Sequence, residues 1–249
     1  MLSPQKNSDW FDTYTEEFLS TFLPIANEFL EDPAVLKNYM TDYLEFYWIQ
    51  HYERIKLTIE MLKPYVKAND KILDLGSIFP LSTYYFHKHS SATVVCADLC
   101  PMTWRLSDTL RSEHVDLNSD PMAHVAEGWN IINFQEVIEH LACNLYHVRD
   151  AIISSLAPNG YLLVGYPMTD IVLDGSCGQD LIYKYGGKDT FRPAFDKELV
   201  STEPPCTHLR EFALSEAETF IPLKKLKAMA VFTIGYTRGS LLMLYQKEG

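Results

Sequence analysis

The segment Glu136-Val137-Ile138-Glu139-His140-Leu141 places two carboxylates and one imidazole close together in the chain. If the segment opens a helix, Glu136, Glu139 and His140 project to one side of it. An imidazole in such a place can remove a proton from an acceptor hydroxyl as a general base. With His208 added, two carboxylates and two imidazoles provide the donors for one divalent ion. A structural role, in which Glu136 and His140 tie the start of the helix to neighbouring loops, stays open.

Short apolar runs alternate with helical segments along the middle of the chain. The runs predict five strands, at Lys71–Leu75, Ala92–Asp98, His114–Leu117, Asn130–Phe134 and Tyr161–Tyr166. The clearest of the helical segments between them is Ile138 to Leu156. This alternation is typical of a parallel sheet covered on both faces. Because ligands bind such sheets at the carboxyl ends of the strands, the segment that follows the fourth strand is well placed for chemistry.

The two ends of the chain predict additions to this sheet. Residues 10 to 66 carry apolar side chains at helical spacing, such as Phe18 and Phe22, and predict an N-terminal helical cap. At the other end, Lys227–Thr237 and Ser240–Lys247 are predicted strands joined by Arg238-Gly239. This connection is too short for a crossover helix, so the two strands must form an antiparallel hairpin. The predicted fold is α/β.

Acidic residues end the first two predicted strands. Asp74-Leu75-Gly76 lies where the first strand turns into a helix, and a glycine there lets the backbone approach a ligand closely. Asp98 ends the second strand, where a carboxylate can accept hydrogen bonds from two ribose hydroxyls. In this order, and followed by the Glu-Val-Ile-Glu-His-Leu motif, these residues resemble the class I methyltransferases that use S-adenosylmethionine (SAM). The motif resembles that of the large subgroup whose signature ends in Glu-His-Leu.

The resemblance covers about residues 50 to 166 and implies a Rossmann-like methyltransferase sheet. The residues that it places around SAM are Asp74, Gly76, Ser77, Asp98, Leu99, Asp116, Leu117, Asn133, Phe134 and Gln135. The chain departs from the family at Ile78 and Pro80, where two further glycines are usual. Asn159 also replaces a glycine, in the turn before the fifth strand, and asparagine tolerates the left-handed conformation. We expect SAM binding, through a reshaped glycine turn.

The resemblance also implies the catalytic positions. His140, Glu139 and His208 are the candidates, and His208 lies in a His-x-Arg-Glu-Phe segment that is similar to one after the fifth strand of many relatives. Glu136, Glu139, His140 and His208 together resemble the metal site of the small-RNA 3′-terminal 2′-O-methyltransferases. A metal there would lower the pKa of an acceptor hydroxyl. We do not expect a resident metal, and these four residues are the ligands if one binds.

Composition limits the partners. The 249-residue chain has a formal net charge of -12, which argues against nucleic acid because phosphate binding needs clustered Lys and Arg. Its five cysteines include no Cys-x-x-Cys pair and are typical of reduced thiols in a cytoplasmic protein. The start of the chain has no signal pattern, and no apolar run approaches the ~20 residues of a membrane span. Nothing in the sequence indicates an oligomeric state.

These observations predict a SAM-dependent methyltransferase that methylates oxygen on a small molecule, with nitrogen acceptors open. We expect a helical cap over residues 1–66, a SAM-binding domain over 67–249 and a substrate-recognition insert over about 167–212. Two alternatives remain. The chain is a non-catalytic relative that keeps the fold and acts as a binding or scaffold subunit, or it is a metal-assisted RNA 2′-O-methyltransferase.

Overall fold

The computed structural model describes residues 10–30, 43–99, 103–119, 128–173, 181–183, 212, 214–232 and 238–249. Its helices are α1 Trp10–Leu30, α2 Tyr43–Leu62, α3 Tyr84–Ser90, α4 Leu145–Ser155 and α5 Leu214–Phe220, with a 3-10 turn at Ile138–His140. Its strands are β1 Lys71–Leu75, β2 Thr93–Asp98, β3 Arg105–Ser107, β4 Leu110–His114, β5 Trp129–Gln135, β6 Leu156–Leu173, β7 Leu181–Tyr183, β8 Lys224–Phe232 and β9 Arg238–Gln246. None of these helices is both long and apolar enough to cross a membrane.

The strands of the described residues form one sheet in the order β3-β4-β2-β1-β5-β6-β9-β8, and β7 pairs with β6. Strands β4, β2, β1, β5 and β6 are parallel, whereas β9 is antiparallel to both β6 and β8. From β1 the chain builds the sheet first towards β2 and β4, and later on the other side towards β5 and β6. Such a reversal is the place where open α/β sheets bind ligands. The predicted α/β fold, a parallel sheet closed by an antiparallel hairpin, is confirmed.

Alternating side chains of the strands divide the core into two clusters, because successive residues of a strand point to opposite faces. Ile72 of β1 packs with Phe18 of α1 and Ile59 of α2 on one face. Its neighbour Leu73 packs with Val148 of α4 on the other face, in the cluster that also contains residues of α5. Helices therefore cover both faces of the sheet, as the apolar strands predict.

The predicted third strand is misplaced. The structure has a strand at Leu110–His114, and the predicted range His114–Leu117 begins at its last residue. Strand β4 buries Leu110 and Ser112 but carries polar side chains between them, so its sequence lacks the apolar run by which the other strands are recognised. The apolar residues that do stand out lie in the loop after the strand. A short strand, β3, which the sequence analysis does not predict, pairs antiparallel with β4.

The predicted helix Ile138 to Leu156 is also wrong in its first part. Residues 138–140 form a 3-10 turn, and the α-helix α4 begins only at Leu145. Asn144 caps it, with a side-chain oxygen that accepts from the amide of Tyr146 at 3.0 Å. The residue before Val137, Glu136, has a φ of +55°, outside any right-handed helix. The premise that Glu136, Glu139 and His140 share one helical face therefore fails.

The C-terminal hairpin is present but its connection differs from the prediction. Arg238 and Gly239 belong to β9, where Gly239 pairs with Phe232 of β8, and so they do not form the turn. Residues 233–237, which join the two strands, lie outside the described residues. Asn159 has a φ of +60°, which confirms the left-handed conformation, but it lies within β6 at an irregularity of the pairing with β5 and not in a turn before the strand.

Candidate functional site

A chain of side-chain hydrogen bonds lies beneath the carboxyl ends of β1 and β5. Asp74 accepts from the hydroxyl of Thr83 at 2.6 Å and from the amide of Asn133 at 2.8 Å, so both of its oxygens are engaged. Gln135 donates to Asn133 and, at 3.0 Å, to the hydroxyl of Thr58 on α2. Burial raises the pKa of Asp74 to about 6, although its two hydrogen-bond donors act in the opposite direction. The network ties α2, β1, β5 and the start of α3 together under the predicted cofactor position.

The packing of the protein requires a glycine at position 76, independently of any ligand. Its φ is +76°, a conformation that side chains disfavour, and a Cβ at this position would lie 2.0 Å from Cγ2 of Val137. Its amide donates to the carbonyl of Ala97 in β2 at 2.6 Å. The glycine therefore lets the turn after β1 pass closely under the loop after β5, whether or not a ligand is bound.

Asp98 and Leu99 lie beside this turn at the carboxyl end of β2, since Leu75 of β1 pairs with Ala97 of β2. The Asp98 side chain is half-buried. Leu99 is 41% exposed, so the fold leaves an apolar surface uncovered next to a carboxylate. A carboxylate and an apolar side chain in sequence suit a ribose and the ring attached to it.

Two other predicted cofactor residues, Asp116 and Leu117, lie one strand further along, after β4. Asp116 follows β4 and is half-buried, and one of its carboxylate oxygens accepts from the amide of Asn118 at 2.9 Å. Leu117 and Phe134 are buried in the core, so their side chains present little surface to a ligand.

The turn after Gly76, which the sequence analysis predicts to be a reshaped glycine turn, packs against the protein. Ile78, Phe79 and Pro80 are all buried, and the indole of Trp104 donates to the carbonyl of Ile78 at 2.8 Å. Ser77, a predicted cofactor residue, is half-buried and its hydroxyl donates to the carbonyl of Phe79. Ile78 and Pro80, where the resemblance leads us to expect glycines, are therefore buried beside an apolar core that includes Ile78 and Phe79.

The segment after β5 holds the candidate catalytic groups. Glu139 is completely buried, and His140 lies half-buried with its Nε2 3.6 Å from Oε1 of Glu139. Burial raises the pKa of Glu139 well above its ordinary value, and the charge of Glu136 adds to the rise. A buried carboxyl cannot reach an acceptor, so the geometry suits Glu139 to orienting the His140 imidazole. Of the two residues, only His140 has a partly exposed side chain.

Sequence reasoning missed two polar side chains of α2, Arg54 and Thr58. Arg54 is buried, its Nη1 lies 3.8 Å from Oε1 of Glu136, and its charge also acts on Asp74 and Glu139. It adds to the effect of burial in lowering the pKa of the neighbouring His51 from 6.5 to about 2, so this imidazole is neutral. The signal in the sequence is a charged and a hydroxyl residue, Arg54 and Thr58, one helical turn apart among apolar neighbours.

The structure describes three of the four predicted metal ligands, Glu136, Glu139 and His140, but not the fourth. His208 lies outside the described residues, as does most of the predicted substrate-recognition insert at about 167–212. Among the residues that the structure does describe, no group of three or more His, Cys, Asp or Glu side chains is arranged to hold a metal ion.

The residues at this edge fit the adenosine half of SAM better than its methionine half. Asp98 offers a half-buried acceptor beside the exposed Leu99, which matches ribose hydroxyls and an adjoining ring. The side chains of Asp74 and Asn133 are hydrogen-bonded to each other and almost fully buried. They support the site from below, and contacts with the methionine part would fall to the backbone of the turn and of the loop after β5.

Comparison with known proteins shows the fold. A protein of Listeria monocytogenes assigned as a SAM-dependent methyltransferase aligns with a TM-score of 0.53 and 12% identity, over 76% of this chain and 97% of its own. A chain of the Haloferax volcanii complex between the methyltransferase activator Trm112 and its methyltransferase partner aligns with a TM-score of 0.54 and 10% identity, over 97% and 99%. The 1,6-didemethyltoxoflavin-N1-methyltransferase of Burkholderia thailandensis, solved with its substrate and S-adenosylhomocysteine, gives 0.50 and 12%, over 100% and 93%.

The sequence comparisons add nothing to this result, because neither a protein-family model nor a curated protein matches the chain. At these identities the structural likeness establishes architecture alone. The chain has the class I methyltransferase fold.

Proposed function

We propose that this protein binds SAM at the carboxyl edge of β1, β2, β4 and β5 and transfers its methyl group to a small molecule. The observation that carries the proposal is the arrangement of Asp98 and exposed Leu99 beside the Gly76 turn, at the switch point of a methyltransferase sheet. Ligands of open α/β sheets bind at this point. The Burkholderia neighbour is a methyltransferase with bound 1,6-didemethyltoxoflavin, and by analogy with it we propose a small-molecule acceptor.

Each group has a proposed role. Asp98 accepts hydrogen bonds from the ribose hydroxyls, Leu99 packs on the adenine and Asp116 accepts from its amine. When bound, SAM supplies a methyl group on a positively charged sulfur, which is open to in-line attack. His140 removes the proton of an acceptor hydroxyl, and Glu139 orients the imidazole. We propose oxygen as the acceptor atom, and a nitrogen acceptor needs the same alignment.

The substrate elements are proposed from their place in the chain. The helices within residues 1–66 and the insert at about 167–212 would recognise the acceptor, because long segments at the ligand-binding edge of a rigid sheet commonly do so. The metal-assisted RNA alternative depends on His208 and on divalent-ion binding that a His208→Ala variant abolishes.

Calorimetric titration with SAM and S-adenosylhomocysteine tests the proposal. We expect micromolar binding to the wild type, weakened in Asp98→Ala by the ~1–3 kcal/mol of hydrogen bonds to a charged group. Asp108→Ala is the matched control. Asp108 is also an aspartate, its side chain is 89% exposed, and it lies just before β4, at the amino ends of the parallel strands and away from the proposed site. Equal weakening in both variants would contradict a specific role for Asp98.

A non-catalytic binding or scaffold role is the second candidate, and one observation favours it. Ile78 and Pro80 are buried where the family has glycines, and the Ile78 carbonyl is taken by Trp104. If this turn closes the site, the wild type binds neither SAM nor S-adenosylhomocysteine at millimolar concentration. Binding with no turnover of any tested acceptor would leave the cofactor site intact and point to an acceptor outside the tested set.

A further inference from the structure

The turn between β1 and α3, residues 76–83, is held by side chains from two distant parts of the chain. Trp104, which follows β2, donates its indole N–H to the carbonyl of Ile78 at 2.8 Å. Tyr14, on α1, donates its hydroxyl to the carbonyl of Leu81 at 2.6 Å. Both donor residues are buried. Each donates to a backbone carbonyl of this turn, and the turn begins at Gly76, beside the candidate cofactor site.

Trp104 is itself fixed in place. Its backbone amide donates to the hydroxyl of Ser112 at 2.7 Å, and the amide of Ser112 donates back to the Trp104 carbonyl at 2.8 Å. Its ring packs on Phe22 of α1 and on Phe79 of the turn, with ring centroids 5.3 and 6.2 Å apart. The indole therefore joins the turn after β1 to β4, the neighbour of the strand that ends in Asp98.

Tyr14 is fixed in the same way from the other side. Its ring lies among those of Phe11, Phe18 and Tyr84. Burial raises the pKa of its hydroxyl well above the ordinary value, so the group stays protonated and remains a donor. Between the two tethers, the sequence Ile78-Phe79-Pro80 restricts the backbone where glycines would leave it free.

A turn that is ordered before a ligand arrives binds it with a smaller loss of conformational entropy. We propose that Trp104 and Tyr14 are positioning residues for the cofactor, which hold the β1–α3 turn in its binding conformation in place of the missing glycines. This inference rests on the proposed function, since it assigns these residues to the SAM site. It accounts for a turn that lacks two glycines yet keeps Gly76 and Asp98 side by side.

The test removes one donor at a time and keeps an aromatic ring at each position. Trp104→Phe and Tyr14→Phe each leave a turn carbonyl without this donor, and Trp104→Phe also replaces the indole by a smaller ring. Tyr84→Phe is the matched control, because the Tyr84 hydroxyl lies in the same aromatic cluster but its hydrogen bond, 3.3 Å long, joins it to the hydroxyl of Thr21 on α1 and not to a carbonyl of the turn. For each protein we would measure S-adenosylhomocysteine affinity by calorimetry, the free energy of unfolding in urea, and deuterium uptake of the peptide that covers residues 76–84 without ligand.

We expect both tether variants to bind about tenfold more weakly and to take up deuterium faster in that peptide, while Tyr84→Phe loses a similar amount of stability and keeps its affinity. Unchanged affinity in Tyr14→Phe and Trp104→Phe would overturn the inference even if deuterium uptake rises. So would an equal loss of affinity in Tyr84→Phe, since it would reveal general loosening of the cluster. Failure of the proposed function is distinct, because the wild type itself would then bind no cofactor.

Discussion

At the scale of single residues, the clearest constraint is the close approach of Gly76 and Val137. We predict that Gly76→Ala lowers the free energy of unfolding by about 2–4 kcal/mol, from the ~1–2 kcal/mol of a side chain at positive φ and the strain of overpacking. Urea denaturation measures the loss. Adding Val137→Ala removes the methyl groups in the way, so the double variant should recover the overpacking part and keep the part due to φ. No recovery would contradict the contact.

Asp74 gives the site a dependence on pH. Its pKa in the folded protein, about 6, lies above the ordinary 3.8, so the folded state holds its proton more tightly than the unfolded state does. The stability that this proton provides is complete below about pH 4 and is lost as the pH rises through about 6. At about 1.4 kcal/mol per pH unit, the loss from this group is roughly 3 kcal/mol.

The measurement compares wild type with Asp74→Asn, which keeps a side-chain acceptor but does not titrate. We expect the difference in unfolding free energy to change in favour of the variant between about pH 4 and pH 7. Urea denaturation at several pH values provides the curves. Parallel curves for the two proteins would show that Asp74 titrates normally in the folded state.

At the scale of elements, the sequence predicts what is apolar and continuous. Strand β1 is predicted over its whole length, and β5 to within a residue at each end, because buried strands of a parallel sheet read as apolar runs. Strand β4 is misplaced because one of its two buried side chains is a serine, Ser112, and not an apolar residue. Ser112 is buried because its hydroxyl accepts a hydrogen bond from the amide of Trp104, eight residues earlier in the chain. The pattern of apolar residues in the sequence does not reveal such contacts.

The misplaced start of α4 has a different cause. Ile138, Leu141, Leu145, Val148 and Ile152 are all buried and follow one another at spacings of three and four residues, so they imitate one long helix. Two features delay the start of the helix to Leu145. Glu136 has a positive φ, and Asn144 caps the first turn of α4; asparagine before a helix is a recognised start signal. The sequence therefore indicates that the candidate catalytic segment follows β5 but does not give its conformation, because that conformation depends on contacts with α2, such as the approach of Arg54 to Glu136.

The cap provides a prediction for this element. Asn144→Ala removes the oxygen that accepts from the Tyr146 amide, and we expect it to lower the free energy of unfolding by about 1 kcal/mol. Asn144→Asp keeps an acceptor in the same place and should stay within a few tenths of a kcal/mol of the wild type. Thermal unfolding followed by circular dichroism compares the two variants. Equal losses would indicate that the side chain acts through another contact.

For the whole molecule, the central question is whether the N-terminal helices are a separate unit. The sequence predicts a cap over residues 1–66, yet α1 and α2 place their apolar side chains in the same cluster as one face of the sheet. Phe22 is the clearest case, since its ring lies within about 6 Å of the rings of Phe79, Tyr84 and Trp104, all beyond residue 66. A shared core of this kind favours one cooperative folding unit.

Phe22→Ala tests this coupling. If α1 and the sheet unfold together, the variant loses about 3–5 kcal/mol of global stability, because a fully buried ring is replaced by a cavity. Circular dichroism and tryptophan fluorescence should then report one coincident transition in urea, for wild type and variant alike. Trp10→Ala is the control, since Trp10 is 39% exposed on the same helix and should cost much less. Two separate transitions, with only the first moved by Phe22→Ala, would establish the helices as an independent cap and would place the tether from Tyr14 outside the cooperative core of the sheet.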